Sequence, residues 1–153
     1  KKFDKVLGKK YEDIFDECKN LKNVNYYGFI ENKKIIDLLK KMHIFSYPSI
    51  WPETSCIAAI ESMASGCEVV TTNLGALIET CSDFGTFANF DRNINNLQKN
   101  YTKTLLKSIK NYWSIENQNK LRLQSKKIND AYSWDIRSIE WQKFFDKARM
   151  LKN

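Results

Sequence analysis

Pro48-Ser49-Ile50-Trp51-Pro52-Glu53-Thr54-Ser55-Cys56-Ile57-Ala58-Ala59-Ile60-Glu61-Ser62-Met63-Ala64-Ser65-Gly66 decides the fold, because both of its ends are punctuated. Upstream, His43-Ile44-Phe45-Ser46-Tyr47 is a short apolar run that Pro48 closes, and it reads as a strand. Thr54 or Ser55 is placed to cap a helix that continues to Ser65, and Gly66 is placed to stop it. Glu68-Val69-Val70-Thr71-Thr72 then supplies a β-branched run, the next strand. Strand, helix and strand at this spacing imply parallel strands joined by a crossover, the unit of a doubly wound α/β sheet. In such a sheet ligands collect beyond the carboxyl ends of the strands, and the free N–H groups of a helix start favour an anion such as phosphate. The amides of Thr54, Ser55 and Cys56 are expected at that edge.

Outside this stretch the alternation continues. Lys9 to Lys19 reads as helix, with Tyr11, Ile14, Phe15 and Cys18 on one face. Val24-Asn25-Tyr26-Tyr27-Gly28-Phe29 reads as a short strand, Glu31 to Met42 as a helix, Ala76 to Cys81 as a short helix, and Thr86 to Phe90 as a weaker strand. From Asn93 on, three Lys-rich helices follow without a strand between them: 93–114, 116–132 and 134–152. The last carries Trp134, Ile136, Ile139, Trp141, Phe144, Phe145 and Ala148, more apolar surface than an exterior helix needs, and is expected to cover the sheet or a second domain. Residues 1–91 thus read as the α/β sheet region and 92–153 as helices packing on the same domain.

Composition narrows the function classes. The 153 residues are 42% hydrophobic and 13% aromatic, which excludes disorder and allows one core without staples. No apolar run approaches the ~18 residues of a membrane span, and Lys1-Lys2-Phe3-Asp4 does not begin a signal peptide. Cys18, Cys56, Cys67 and Cys81 form no C-x-x-C pair, which points to reduced thiols in a cytoplasmic protein and not to zinc or a disulfide framework. Residues 1–91 hold 11 basic and 13 acidic side chains, whereas 92–153 hold 14 and 5, so the formal +7 belongs to the C-terminal part. Only Arg92, Arg122, Arg137 and Arg149 are arginines there, and a Lys- and Asn-rich face of that kind is most simply a solvated one. An anionic membrane surface or an acidic partner is the smaller reading; nucleic acid is not expected, since base readers lean on Arg and stacking.

Glu53 stands just before the expected helix and Glu61 about two turns inside it, ~10 Å along the axis at ~1.5 Å per residue. Carboxylates so separated do not share a proton. They suit hydroxyls at two ends of a long polar ligand whose anionic middle lies over the helix start, the layout of a nucleotide sugar.

Five pieces in order over residues 23–79 resemble the retaining glycosyltransferases of family 4, the group 1 type with a GT-B fold. They are the run Asn23 to Phe29, the strand Phe45-Ser46-Tyr47-Pro48-Ser49, the E-x7-E pair Glu53 and Glu61 with Met63-Ala64-Ser65-Gly66, the strand Val69 to Thr72, and Asn73-Leu74-Gly75-Ala76-Leu77-Ile78-Glu79. Tyr132-Ser133-Trp134 with Trp141 is similar to the family's terminal helix. E-x7-E alone says little in a chain with nine Glu; the ordered set carries the resemblance. It implies a Rossmann-like parallel sheet with helices on both faces and a C-terminal helical cap, the nucleotide-sugar-binding half of the enzyme. By that resemblance Glu53 is catalytic and holds the transferred sugar, while Glu61 binds the ribose hydroxyls. The amides of Thr54, Ser55 and Cys56 face the sugar and diphosphate, Tyr27, Gly28 and Phe29 wall the nucleobase, and Leu74 and Gly75 border the far side. The donor is an NDP-sugar, of UDP or GDP, with a glycan or lipid acceptor and neither metal nor other cofactor. The acceptor-binding domain and the basic clamp on the diphosphate are expected outside this chain, which leaves the fragment inactive by itself. Two departures stand out: Thr54-Ser55-Cys56 replaces a frequent Gly-Phe-Gly, so side chains narrow the sugar's approach, and Ile78 replaces a frequent Pro.

Other residues carry less. His43 opens a strand without a visible partner and reads as structural. Ser49, Ser55 and Cys56 lack a nucleophile elbow or a paired His, and Gly8, Gly28 and Gly75 form no G-x-G-x-x-G. Trp51 is equally suited to stacking on a sugar or packing under the helix. Two rivals stay open: a sugar-nucleotide epimerase on a similar sheet, and a basic nucleic-acid-binding module.

Overall fold

The computed structural model describes residues 2–151, with side chains from Tyr11 onward. The backbone falls into two compact units, one through Asn32 and the other from Lys33 on. The first holds α1 (Lys2–Asn20) and an irregular segment. The Tyr26 ring lies 5.8 Å from that of Phe15, which ties the segment back to the helix. Val24 to Phe29, expected as a strand, is not one: Phe29 is 101% exposed and Gly28 turns the chain at φ +61. A β-prone run becomes a strand only where a neighbour takes up its ladder, and among the described residues none does.

The second unit runs through α2 (Asn32–Leu39), β1 (Ile44–Tyr47), α3 (Ile57–Ala64), β2 (Glu68–Thr72) and α4 (Leu77–Cys81). A 3-10 turn (Ser82–Phe84), β3 (Thr86–Ala88), α5 (Ile94–Asn111), α6 (Ile115–Tyr132) and α7 (Trp134–Met150) complete it. The strands form one parallel sheet in the order β1-β2-β3, with Ile44 opposite Glu68, Tyr47 opposite Thr71, and Val70 opposite Thr86. Alternation along β2 serves both faces. Val69 joins Cys56, Ala59, Met63, Leu77, Cys81 and Ile128, while Val70 joins Ala88 and Tyr101. A parallel sheet is stable only when both faces are covered, and α3, α4 and α6 cover one as α5 covers the other.

Polar groups lock the layers. The Tyr101 hydroxyl donates to the Val70 carbonyl at 2.8 Å and lies 2.8 Å from Ser46 Oγ. Glu68, buried at the amino end of β2, accepts from Thr86 Oγ1 (3.0 Å), Ser108 Oγ (2.8 Å) and Asn117 Nδ2 (3.1 Å), so one carboxylate gathers three elements. Carbonyls at the end of α3 and just after it are satisfied from α6: Gln124 Nε2 donates to Met63 O (3.2 Å) and Cys67 O (2.8 Å), and Ser125 Oγ to Ala64 O (2.7 Å). Asn93, Ser114 and Ser133 cap α5, α6 and α7 by accepting backbone N–H bonds. His43 stacks edge-on against Tyr112 and Trp113, at 5.0 and 5.3 Å between centroids. Cys56, Cys67 and Cys81 are buried free thiols, and burial pushes the Cys81 thiol up to about 12. No residue of α7 is buried, so of the two expectations for its aromatic series, covering the sheet or a second domain, the first does not hold; Trp141, Phe144 and Phe145 are clustered on one another. No helix among the described residues is long and apolar enough to cross a membrane.

Candidate functional site

The carboxyl end of β1 opens into the loop 48–56, and this loop is pinned at its root. Ser49 is buried, its hydroxyl donates to the Trp51 carbonyl at 2.9 Å, and its own carbonyl accepts from Thr72 Oγ1 at 2.7 Å. Thr71 Oγ1 donates to the Tyr47 carbonyl at 2.8 Å. The β2 threonines thus continue the ladder past the end of β1 with side-chain bonds. Trp51 beyond this root is exposed, so it does not pack under α3.

Glu53 is fixed from two sides. The Tyr47 hydroxyl donates to Glu53 Oε1 at 2.5 Å, and the Glu53 carbonyl accepts from the Ala76 amide at 2.8 Å. Gly75, at φ +60, lies so close that a Cβ there would stand 2.8 Å from Glu53 N, Glu53 O and Pro52 C. Asn73 anchors the same turn: its amide donates to Ala88 O at 3.1 Å and its Oδ1 accepts from the Phe90 amide at 2.6 Å. The loops after β1 and β2 are therefore clasped together at the carboxyl edge of the sheet, with Glu53 at the clasp.

The helix start differs from expectation. α3 begins at Ile57 with Cys56 as its N-cap, and no side chain caps it. The Cys56 carbonyl accepts from the Ala59 and Ile60 amides at 3.1 Å each, so the amides without an intrahelical partner are those of Ile57 and Ala58. Thr54 and Ser55 belong to the preceding loop, where both are exposed. Cys56 points inward: its side chain is in the core and burial raises its thiol pKa. Of these three residues, Thr54 and Ser55 place side chains at the loop surface and Cys56 does not. With the later start, Glu61 sits about one turn into α3 and not two, and is half-buried. Leu74 is half-buried in the turn before α4. The second unit thus brings Glu53 and Gly75 into contact, on sequence neighbours of Thr54, Ser55 and Leu74. Tyr27, Gly28 and Phe29 belong to the first unit, exposed in its irregular segment.

Tyr47 was not singled out by its sequence position, yet it is the residue that holds Glu53. The bond to the Glu53 carboxylate, then partial burial, raises its phenol above the ordinary value of 10.0. A folded value above the unfolded one means that the contribution is complete below the ordinary tyrosine range and is lost as pH rises through the folded value. Carbon NMR of ring-labelled tyrosine should show Tyr47 ionising late, and Glu53→Gln should bring it down. Tyr47→Phe should cost about 1 kcal/mol or less, since the pair is partly solvated. An unshifted Tyr47 in the Glu53→Gln variant would show that the carboxylate is not its partner.

Comparison with known proteins gives two matches. A family model described as "Glycosyl transferases group 1" matches residues 5–127. The chain is also 30% identical over 88 residues to a Klebsiella pneumoniae protein described as "Uncharacterized 41.2 kDa protein in cps region", covering 56% of this chain and 24% of that protein. The chain spans about a quarter of that relative's length. No solved structure matches.

Proposed function

The chain belongs to the group 1 glycosyl transferases, and on that premise we propose that it is the donor-binding half of a retaining enzyme of family 4. It takes a nucleoside-diphosphate sugar, of UDP or GDP, and the sugar passes to a glycan or lipid acceptor held by a domain outside this chain. The clasp of the two sheet-edge loops around Glu53 carries this reading. A carboxylate held by Tyr47 and by the turn at Gly75 is pre-positioned, so little ordering is left for the ligand to drive.

In this reading Glu53 is the catalytic residue, with its carboxylate on the transferred sugar, and Glu61 takes the ribose hydroxyls. The amides of Ile57 and Ala58 at the start of α3, with the loop of Thr54, Ser55 and Cys56 before it, face the sugar and diphosphate. The helix start favours the negative charge that grows on the departing diphosphate. Leu74 and Gly75 border the donor. The scheme uses no metal or other cofactor. An epimerase on a similar sheet does not call for the Glu53 and Glu61 grip, and a nucleic-acid module gives those carboxylates no role.

Calorimetric titration of UDP, GDP and their sugars into this chain, beside Glu61→Ala, tests the proposal. Binding is expected, weakened in the variant by ~1–3 kcal/mol, the worth of one or two hydrogen bonds to a charged group. Equal binding by the variant would remove Glu61 from the donor site. No binding, by this chain or by a longer one carrying the acceptor half, would overturn the transferase reading.

A further inference from the structure

One face of α5 has no role in the donor site. Its 18 residues include Lys99, Lys103, Lys107 and Lys110 and no carboxylate. Spacings of four, four and three put these lysines on a single face, opposite the one that buries Leu97, Tyr101 and Ser108 against the sheet. All four are exposed, and the ion pairs among the described residues lie on other helices. Leu106 and Ile109 stand exposed beside the stripe. Where α5 turns into α6, Trp113 is 73% and Ile115 81% exposed, with Glu116 the one carboxylate in that turn.

We propose that this face of α5 and the turn after it dock on an anionic lipid bilayer. The charge is complementary: four ammonium groups in a row, with no ion pair among the described residues, meet a surface of phosphate head groups. The apolar groups beside them enter the head-group layer, where an indole is especially at home. A nucleic-acid surface fits less well, since α5 has no Arg to read or stack on bases. The exposed Trp113 and Ile115 are likewise poorly explained by an acidic protein surface alone. The inference is independent of the donor site, so its failure leaves the transferase reading untouched.

Cosedimentation with vesicles tests it, using phosphatidylcholine alone or mixed with phosphatidylglycerol, at low and high salt. The chain should pellet with the anionic vesicles only, and release as salt rises. Replacing Lys99, Lys103, Lys107 and Lys110 together by Gln keeps helix propensity and should lower the partition coefficient on the order of a hundred-fold. The same loss of charge at Lys33, Lys34, Lys143 and Lys147 should lower it less than about ten-fold, because those side chains lie on α2 and α7. Trp113→Ala should weaken binding about ten-fold without altering its salt dependence. Equal binding to neutral vesicles, no binding to either, or two quadruple variants that behave alike would each overturn the proposal. So would retention on single-stranded RNA with none on vesicles.

Discussion

Gly75→Ala should lose about 3 kcal/mol of stability and most of the donor affinity. Two costs add. At φ +60 an alanine sits in the left-handed region, which costs about 1 kcal/mol. Its Cβ would then lie 2.8 Å from the backbone of Pro52 and Glu53, and a backbone cannot swing away as a long side chain can. Relief requires one loop to move and so gives up the bond from the Ala76 amide to the Glu53 carbonyl. Gly66 provides the control: it also has a positive φ, at +93, but a Cβ there meets nothing within 4 Å. Gly66→Ala should therefore show the conformational cost alone. Urea midpoints of the two variants measure the difference, and equal midpoints would mean the clasp yields freely.

Gln124→Ala should cost about 3 kcal/mol, here without touching the site. Gln124 is fully buried, and its Nε2 serves two carbonyls at the end of α3 and the turn after it. Truncation removes both bonds and leaves a cavity, although Met63 O keeps the Gly66 amide at 3.1 Å. Gln124 Oε1 has no partner among the described residues, so Gln124→Leu removes one unsatisfied atom while keeping the volume, and should cost less than alanine. Urea unfolding distinguishes the variants; a leucine variant as unstable as the alanine one would make the two carbonyl bonds the whole effect. Below the unfolding transition either variant should titrate nucleotide as the parent does.

Much of the sheet was legible because its signals are local. Glu68 to Thr72 was read as a strand from its β-branched run after Gly66, and β2 has those bounds. Helices from Asn93, near Glu116 and from Trp134 were announced by their Lys-rich helical patterns, and α5, α6 and α7 lie there. Val24 to Phe29 misled for a physical reason: its residues suit a strand, but strand formation depends on a neighbour that spacing does not reveal. The start of α3 misled in a similar way. Thr54 and Ser55 are better caps than Cys56 by type, yet Gly75 and Ala76 hold Pro52 and Glu53 in the loop, and that contact links residues more than twenty positions apart. Tyr47 and Glu68 were invisible as functional or organising groups for the same reason. Their partners are fixed only once the strands are in register.

The hydroxyl bonds from Thr71 and Thr72 bear on how a ligand would enter. They hold the root of the loop 48–56 to the central strand, so opening that root means fraying the sheet itself. The clasp is then a fixed shelf and not a gate. Arrival of a ligand should follow simple encounter kinetics, with no slow rearrangement before or after contact. Selectivity would come from what the shelf presents.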